Sequence, residues 1–126
     1  MYAAGAPHPL REACRFALER AVNLRIALVT DSEVLQELLH RYFAIRKSDV
    51  AQSIYRATTQ LCDDVLPVEE KHTARALELL LQYRKLSARD AIHIATMEGA
   101  GMRRLLSTDT DFDCVREVDR IDPRDI

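Results

Sequence analysis

Among the stretches that place an acid three residues ahead of a histidine are Glu37-Leu38-Leu39-His40 and Asp90-Ala91-Ile92-His93. A further stretch, Ser107-Thr108-Asp109-Thr110-Asp111-Phe112, carries two acids shortly after the apolar pair Leu105-Leu106. Carboxylate oxygens are the donors that hard divalent cations take, and Mg²⁺ needs only one or two of them beside its waters and a substrate phosphate. Several carboxylates gathered at one place repel one another unless a cation sits between them. Each acid also has a plainer reading. Asp90 and Asp109 suit the first turn of a helix, where negative charge meets the helix dipole, and Asp31 and Glu33 read as helix-start acids. Glu37 resists that reading, because it lies mid-helix beside Leu35 and Leu38, where an unpaired charge is costly to bury. Asp113 reads as surface.

Rival chemistries fail on spacing. Asp109-x-Asp111-x-Asp113 opens like a calcium loop, but the sixth position is Cys114 instead of Gly and the twelfth is Arg120 instead of Glu. The two acid-x-x-His pairs resemble the ligands of di-metal helical bundles, which need four long helices and no sheet. His40 and His93 instead read as partners of a local carboxylate or backbone group. No Ser, Cys or Thr stands on a glycine-flanked elbow, so nucleophilic catalysis has no support. A phosphatase-like Asp nucleophile would want a Lys nearby, and the strand ends at Thr30 and Ser107 offer none.

The elements that must hold these acids follow from periodicity. Pro9 to Val22 reads as a helix with Leu10, Cys14, Leu18 and Ala21 inward. Arg25 to Thr30 reads as a strand, and Asp31 as the N-cap of a helix carrying Val34, Leu35, Leu38, Leu39 and Tyr42. Ser48 caps a further helix with Val50, Ile54 and Leu61 inward. Asp64 to Val68 reads as a strand, then Glu69 to Tyr83 as a helix with Ala76, Leu77, Leu80 and Leu81 on one face. Ser87 opens the helix Ala88 to Glu98, which Gly99 and Gly101 end. Arg104 to Ser107 and Val118 to Ile121 read as strands. Short strands alternating with longer helices predict an α/β fold with a parallel sheet flanked by helices, and such sheets bind ligands beyond the carboxyl ends of their strands.

The chain has 126 residues, 48% hydrophobic and 30% charged. That predicts one domain over residues 1–126 and excludes disorder. The longest apolar run, Ile26 to Val29, is far too short to span a membrane, and no secretory signal is read at the N-terminus. Three scattered cysteines, Cys14, Cys62 and Cys114, point to no disulfide framework and to the cytoplasm. The net charge of −2 lacks the basic excess typical of proteins that bind nucleic acid through surface charge alone. The local groups Arg11, Arg15, Arg20, Arg25 and Arg41, Arg46, Lys47 read as solvated helix faces.

Three stretches together resemble the PIN-domain ribonucleases, and within them the VapC-type toxins of toxin–antitoxin pairs. They are Glu33 to Tyr42, Leu86 to Ala95 and Leu105 to Phe112, and their order and spacing carry the likeness. Tyr2-Ala3-Ala4-Gly5 with His8-Pro9-Leu10-Arg11 is similar to the family's segment after its first strand. The resemblance implies a central parallel sheet and an acidic quartet holding Mg²⁺ or Mn²⁺. Glu37, Asp90 and Asp109 are its second, third and fourth members, and Asp111 a helper. It implies an endoribonuclease acting through metal-activated water, with Arg11, Arg15 and Arg41 as candidates for holding the RNA backbone. A cognate antitoxin and a homodimer are the implied partners. The quartet's first member and the strand bearing it are expected before Tyr2, yet no acid precedes Glu12. The chain is therefore read as N-terminally truncated, with Met1 inside or at the end of that strand through a start codon placed too late. The alternative is an inactive remnant that binds an antitoxin or RNA without cleaving it.

Overall fold

In the computed structural model, which describes residues 8–126, helices and short strands alternate. Helix α1 (Arg11–Asn23) leads to β1 (Val29–Asp31), α2 (Ser32–Ala44), α3 (Ser48–Leu61) and β2 (Asp64–Leu66). There follow α4 (Glu70–Gln82), α5 (Ala88–Gly99), β3 (Arg104–Leu106) and β4 (Asp119–Ile121), with 3₁₀ turns at Thr110–Cys114 and Pro123–Asp125. The strands pair in parallel, β1 with β2 (Val29 opposite Asp64) and β3 with β4 (Arg104 opposite Asp119). The α/β alternation and the parallel pairing match expectation. Among the described residues the four strands form two separate ribbons, not one continuous sheet. The expected first strand and the segment Tyr2 to Gly5 lie outside the described residues.

The strands are shorter than their apolar runs. Arg25 sits in the left-handed region at φ 56°, and the N–H of Ile26 donates to the carbonyl of Ala21, closing α1. Leu24 and Arg25 form the turn that closes α1, Ile26 to Leu28 lie outside regular structure, and β1 begins only at Val29. Arg46 (φ 57°) and Gly101 (φ 74°) end α2 and α5 in the same way, through Lys47 N–H to Tyr42 and Met102 N–H to Met97. Pro9 lies in the turn before α1 instead of in its first turn.

Two apolar clusters hold the elements. One joins α4 and α5 through Leu79, Ala91, Ile94 and Ala95 to Phe112, Val115 and Val118. The other, between α2 and α3, consists of Leu38, Tyr42, Ala51 and Ile54. Some expected inward positions are corrected. Leu77 and Leu81 are 60% and 78% exposed, because α4 turns His72, Ala76 and Leu79 inward and these leucines fall a step round the helix. Likewise Ala51 and not Val50 is buried on α3, and Ala17 is the most buried residue of α1. Arg75 ties the larger half together, its Nε donating to Glu98 Oε1 at 2.9 Å while Tyr83 Oη donates to Glu117 at 2.8 Å.

Candidate functional site

Asp31 is the last residue of β1 and the N-cap of α2, its Oδ1 accepting from the Val34 N–H at 2.9 Å. That role was legible in the sequence. Its second oxygen does something else: Oδ2 lies 2.6 Å from Nδ1 of His93, on α5. Asp31 is buried, and the His93 side chain is largely so. The far side of the ring faces α2 again, with Nε2 3.7 Å from Oε1 of Glu37. Arg89, one turn earlier on α5, brings Nε to 3.5 Å from Glu37 and 3.8 Å from Glu33. The acids of α2 thus meet the cationic groups of α5.

Burial pulls the His93 pKa down. The hydrogen bond to Asp31 and the negative charges of Asp31, Glu37 and Asp90 push harder the other way, so the net shift is upward. Glu37 and Asp90 therefore act on one imidazole from two helices. Asp90 is held in the first turn of α5, where its N–H donates to the Ser87 hydroxyl at 3.2 Å, as the Ser87 cap predicts.

Asp109 and Asp111 stand beyond the carboxyl end of β3. Asp109 caps the 3₁₀ turn, its Oδ1 accepting from the Asp111 N–H at 2.9 Å, and its own N–H donates to the Ser107 hydroxyl at 3.1 Å. Arg120 braces this loop. Its Nη1 donates to the Ser107 carbonyl at 3.0 Å and its Nε to Asp113 at 2.7 Å, so Asp113 is an ion-pair partner and not merely surface. Among the described residues, no group of three His, Cys, Asp or Glu side chains lies close enough to hold a metal ion. Glu37 lies 3.7 Å from His93 and the charge of Asp90 also acts on that ring, and among the described residues no hydrogen bond or ion pair links Asp109 or Asp111 to either acid. The donor chemistry of Glu37 and Asp90 still fits a hard cation, since Mg²⁺ takes one or two carboxylates and completes its shell with water.

The basic candidates are dispersed. Arg11 Nε is buried with no hydrogen-bond partner among the described residues, and the Arg41 guanidinium lies over the Tyr42 ring, 5.9 Å from its centre. Arg15 is an exposed residue of α1. Asp31, Arg89, Arg120 and Asp122 were not read as site residues. The only sequence signal for the first of these was the cap itself, while the Asp90-x-x-His93 spacing already placed the imidazole beside the acid.

The protein-family model for the PIN domain matches residues 1–118. The chain belongs to the PIN-domain family. Within it, this PIN domain is similar to VapC ribonuclease Mb1869c of Mycobacterium bovis and to Ribonuclease VapC13 of Mycobacterium tuberculosis. Each is 42% identical over 121 residues, covering 96% of this chain and 92% of the relative. Ribonuclease VapC7 of Mycobacterium tuberculosis is 34% identical over 124 residues, covering 98% of this chain and 86% of its own length. These likenesses make the protein a VapC-type member of the family. No solved structure matches it. No helix among the described residues is long and apolar enough to cross a membrane.

Proposed function

We propose that this PIN domain is a toxin endoribonuclease that hydrolyses RNA phosphodiester bonds with the help of Mg²⁺ or Mn²⁺. The observation that carries the reading is Glu37 of α2 facing His93 of α5 at 3.7 Å, on the helix whose first turn bears Asp90, in a chain 42% identical to proteins named as ribonucleases. Glu37, Asp90 and Asp109 are the residues that would hold the cation, with Asp111 as a helper. When bound, a divalent cation supplies an activated water and neutralises charge that develops on the phosphate. Glu37 and Asp90 contribute oxygens from rigid helices, and Ser87 fixes the start of the helix that presents Asp90. Arg89 offsets the mutual repulsion of Glu33 and Glu37. Arg11, Arg15 and Arg41 are candidates for pairing with flanking RNA phosphates.

A cognate antitoxin is the proposed protein partner. Phe16 on α1 and Phe43 on α2 are 54% and 55% exposed, apolar surface of the kind a partner covers. A second copy of the chain is also proposed, with Leu77 and Leu81 of α4 as exposed apolar candidates for that contact.

Asp90→Asn tests the nuclease reading. The amide keeps the shape and removes the charge, so metal-dependent RNA cleavage should fall to below about one hundredth of wild type. The melting temperature should barely move. Cleavage retained in a variant that melts normally overturns the assignment, as does metal-dependent cleavage whose products lack 5′-phosphate ends.

A further inference from the structure

We infer that Asp31 and His93 form a positioning pair that orients Glu37, an inference that rests on the reading of Glu37 as a cation-holding residue. Asp31 Oδ2 and His93 Nδ1 are 2.6 Å apart, a short charge-assisted contact. Asp31 cannot swing away from it, because its other oxygen is bound to the first turn of α2 at Val34. The ring is thus held from a fixed point, and its opposite nitrogen faces Glu37 Oε1 at 3.7 Å.

Glu37 stands six residues after Asp31, so the contact closes a loop: strand end to α5, and α5 back to α2. A Glu side chain has three rotatable bonds, and Arg89 on its exposed side competes for the same oxygen at 3.5 Å. Among the described residues the ring is the group that meets the Glu37 carboxylate from the buried side, so without it Arg89 would take the carboxylate toward solvent. Partners of this kind, one bond removed from the ligand, set its orientation and tune affinity.

The test compares two substitutions of equal charge. Asp31→Asn and Asp31→Ser both remove one negative charge, and both residues are good N-caps. They differ in reach, since the Asn amide extends to the His93 ring and the shorter Ser does not. Mn²⁺ binding to the full chain is measured by calorimetry, with the melting temperature recorded for each variant and Glu37→Gln as a reference.

The expected result is a dissociation constant about ten-fold weaker for Asp31→Ser than for Asp31→Asn, with Glu37→Gln weaker still. A merely structural role would move the melting temperature and leave the two charge-matched variants equal in affinity. Equal affinities for Asp31→Asn and Asp31→Ser, with Glu37→Gln weakened, overturn the positioning pair and leave the cation site standing. Mn²⁺ affinity unchanged in Glu37→Gln overturns the reading of Glu37 and the pair together. His93→Gln supplies a second approach should the Ser variant fold poorly, and wild-type Mn²⁺ affinity in it also overturns the proposal.

Discussion

Asp122 shows how one carboxylate can organise a segment. It is buried, and it accepts from the Arg124 guanidinium, from the Arg124 N–H at 2.9 Å and from Arg120 Nη1 at 3.3 Å. The Arg124 side chain and backbone bonds lower its pKa most; burial opposes them, and Arg120 adds to the lowering, leaving it far below the usual carboxylate range. A depressed folded pKa gives stability that is present above the unfolded value, near 3.8, and lost as pH falls toward the folded one. The melting temperature should therefore drop as pH falls below about 4, and Asp122→Asn should flatten that acid limb while lowering the neutral-pH melting point. An acid limb unchanged in Asp122→Asn would remove Asp122 from the account. At this scale the sequence was legible where partners are local. Asp31 as a cap for Val34 and Ser87 as a cap for Asp90 span three residues each. Asp31 to His93 spans sixty-two, and no periodicity reports such a contact.

Helices α4 and α5 show where element-scale reading succeeds and where it slips. Both were placed to within about two residues, because their apolar spacing and terminal signals agree. The buried face of α4 was misjudged, since four leucines and an alanine within six residues fit more than one stripe. His72 settles it. Its Nδ1 accepts from the Glu69 N–H at 2.9 Å, which fixes the ring at the start of α4 with only 8% exposure. Gly99 closes α5 against that ring, and a Cβ there would lie 3.0 Å from His72 Nε2. Gly99→Ala should thus cost about 1–3 kcal/mol in chemical denaturation, as overpacking does. His72→Ala should remove much of that penalty in the double variant, and additive losses would show that the close approach is not its source. The same reasoning explains the short strands. Apolar runs such as Ile26 to Val29 announced a strand, but the left-handed turn at Arg25 that shortens it needs no glycine here and leaves no mark in the sequence.

At the scale of the molecule, the alternation of helices and parallel strands was legible, and the division of the described strands into two ribbons was not. The α2–α3 cluster has four buried residues, whereas the α4–α5 cluster has nine and is further braced by Arg75, Glu98 and Tyr83. Segments with fewer buried contacts open at lower free energy. Native-state amide exchange should accordingly find α2 and α3 exchanging through a smaller, earlier opening than α4 and α5, and a single common free energy for all four helices would refute this. Glu37 belongs to the first half and Asp90 to the second. On the proposed function, in which both acids hold the cation, the time for which they stand ready is governed by how long Leu38, Tyr42, Ala51 and Ile54 stay closed. Substitutions in that small core would then tune the duty cycle of the proposed activity without touching a reacting atom, giving selection a dial on it that is separate from the chemistry.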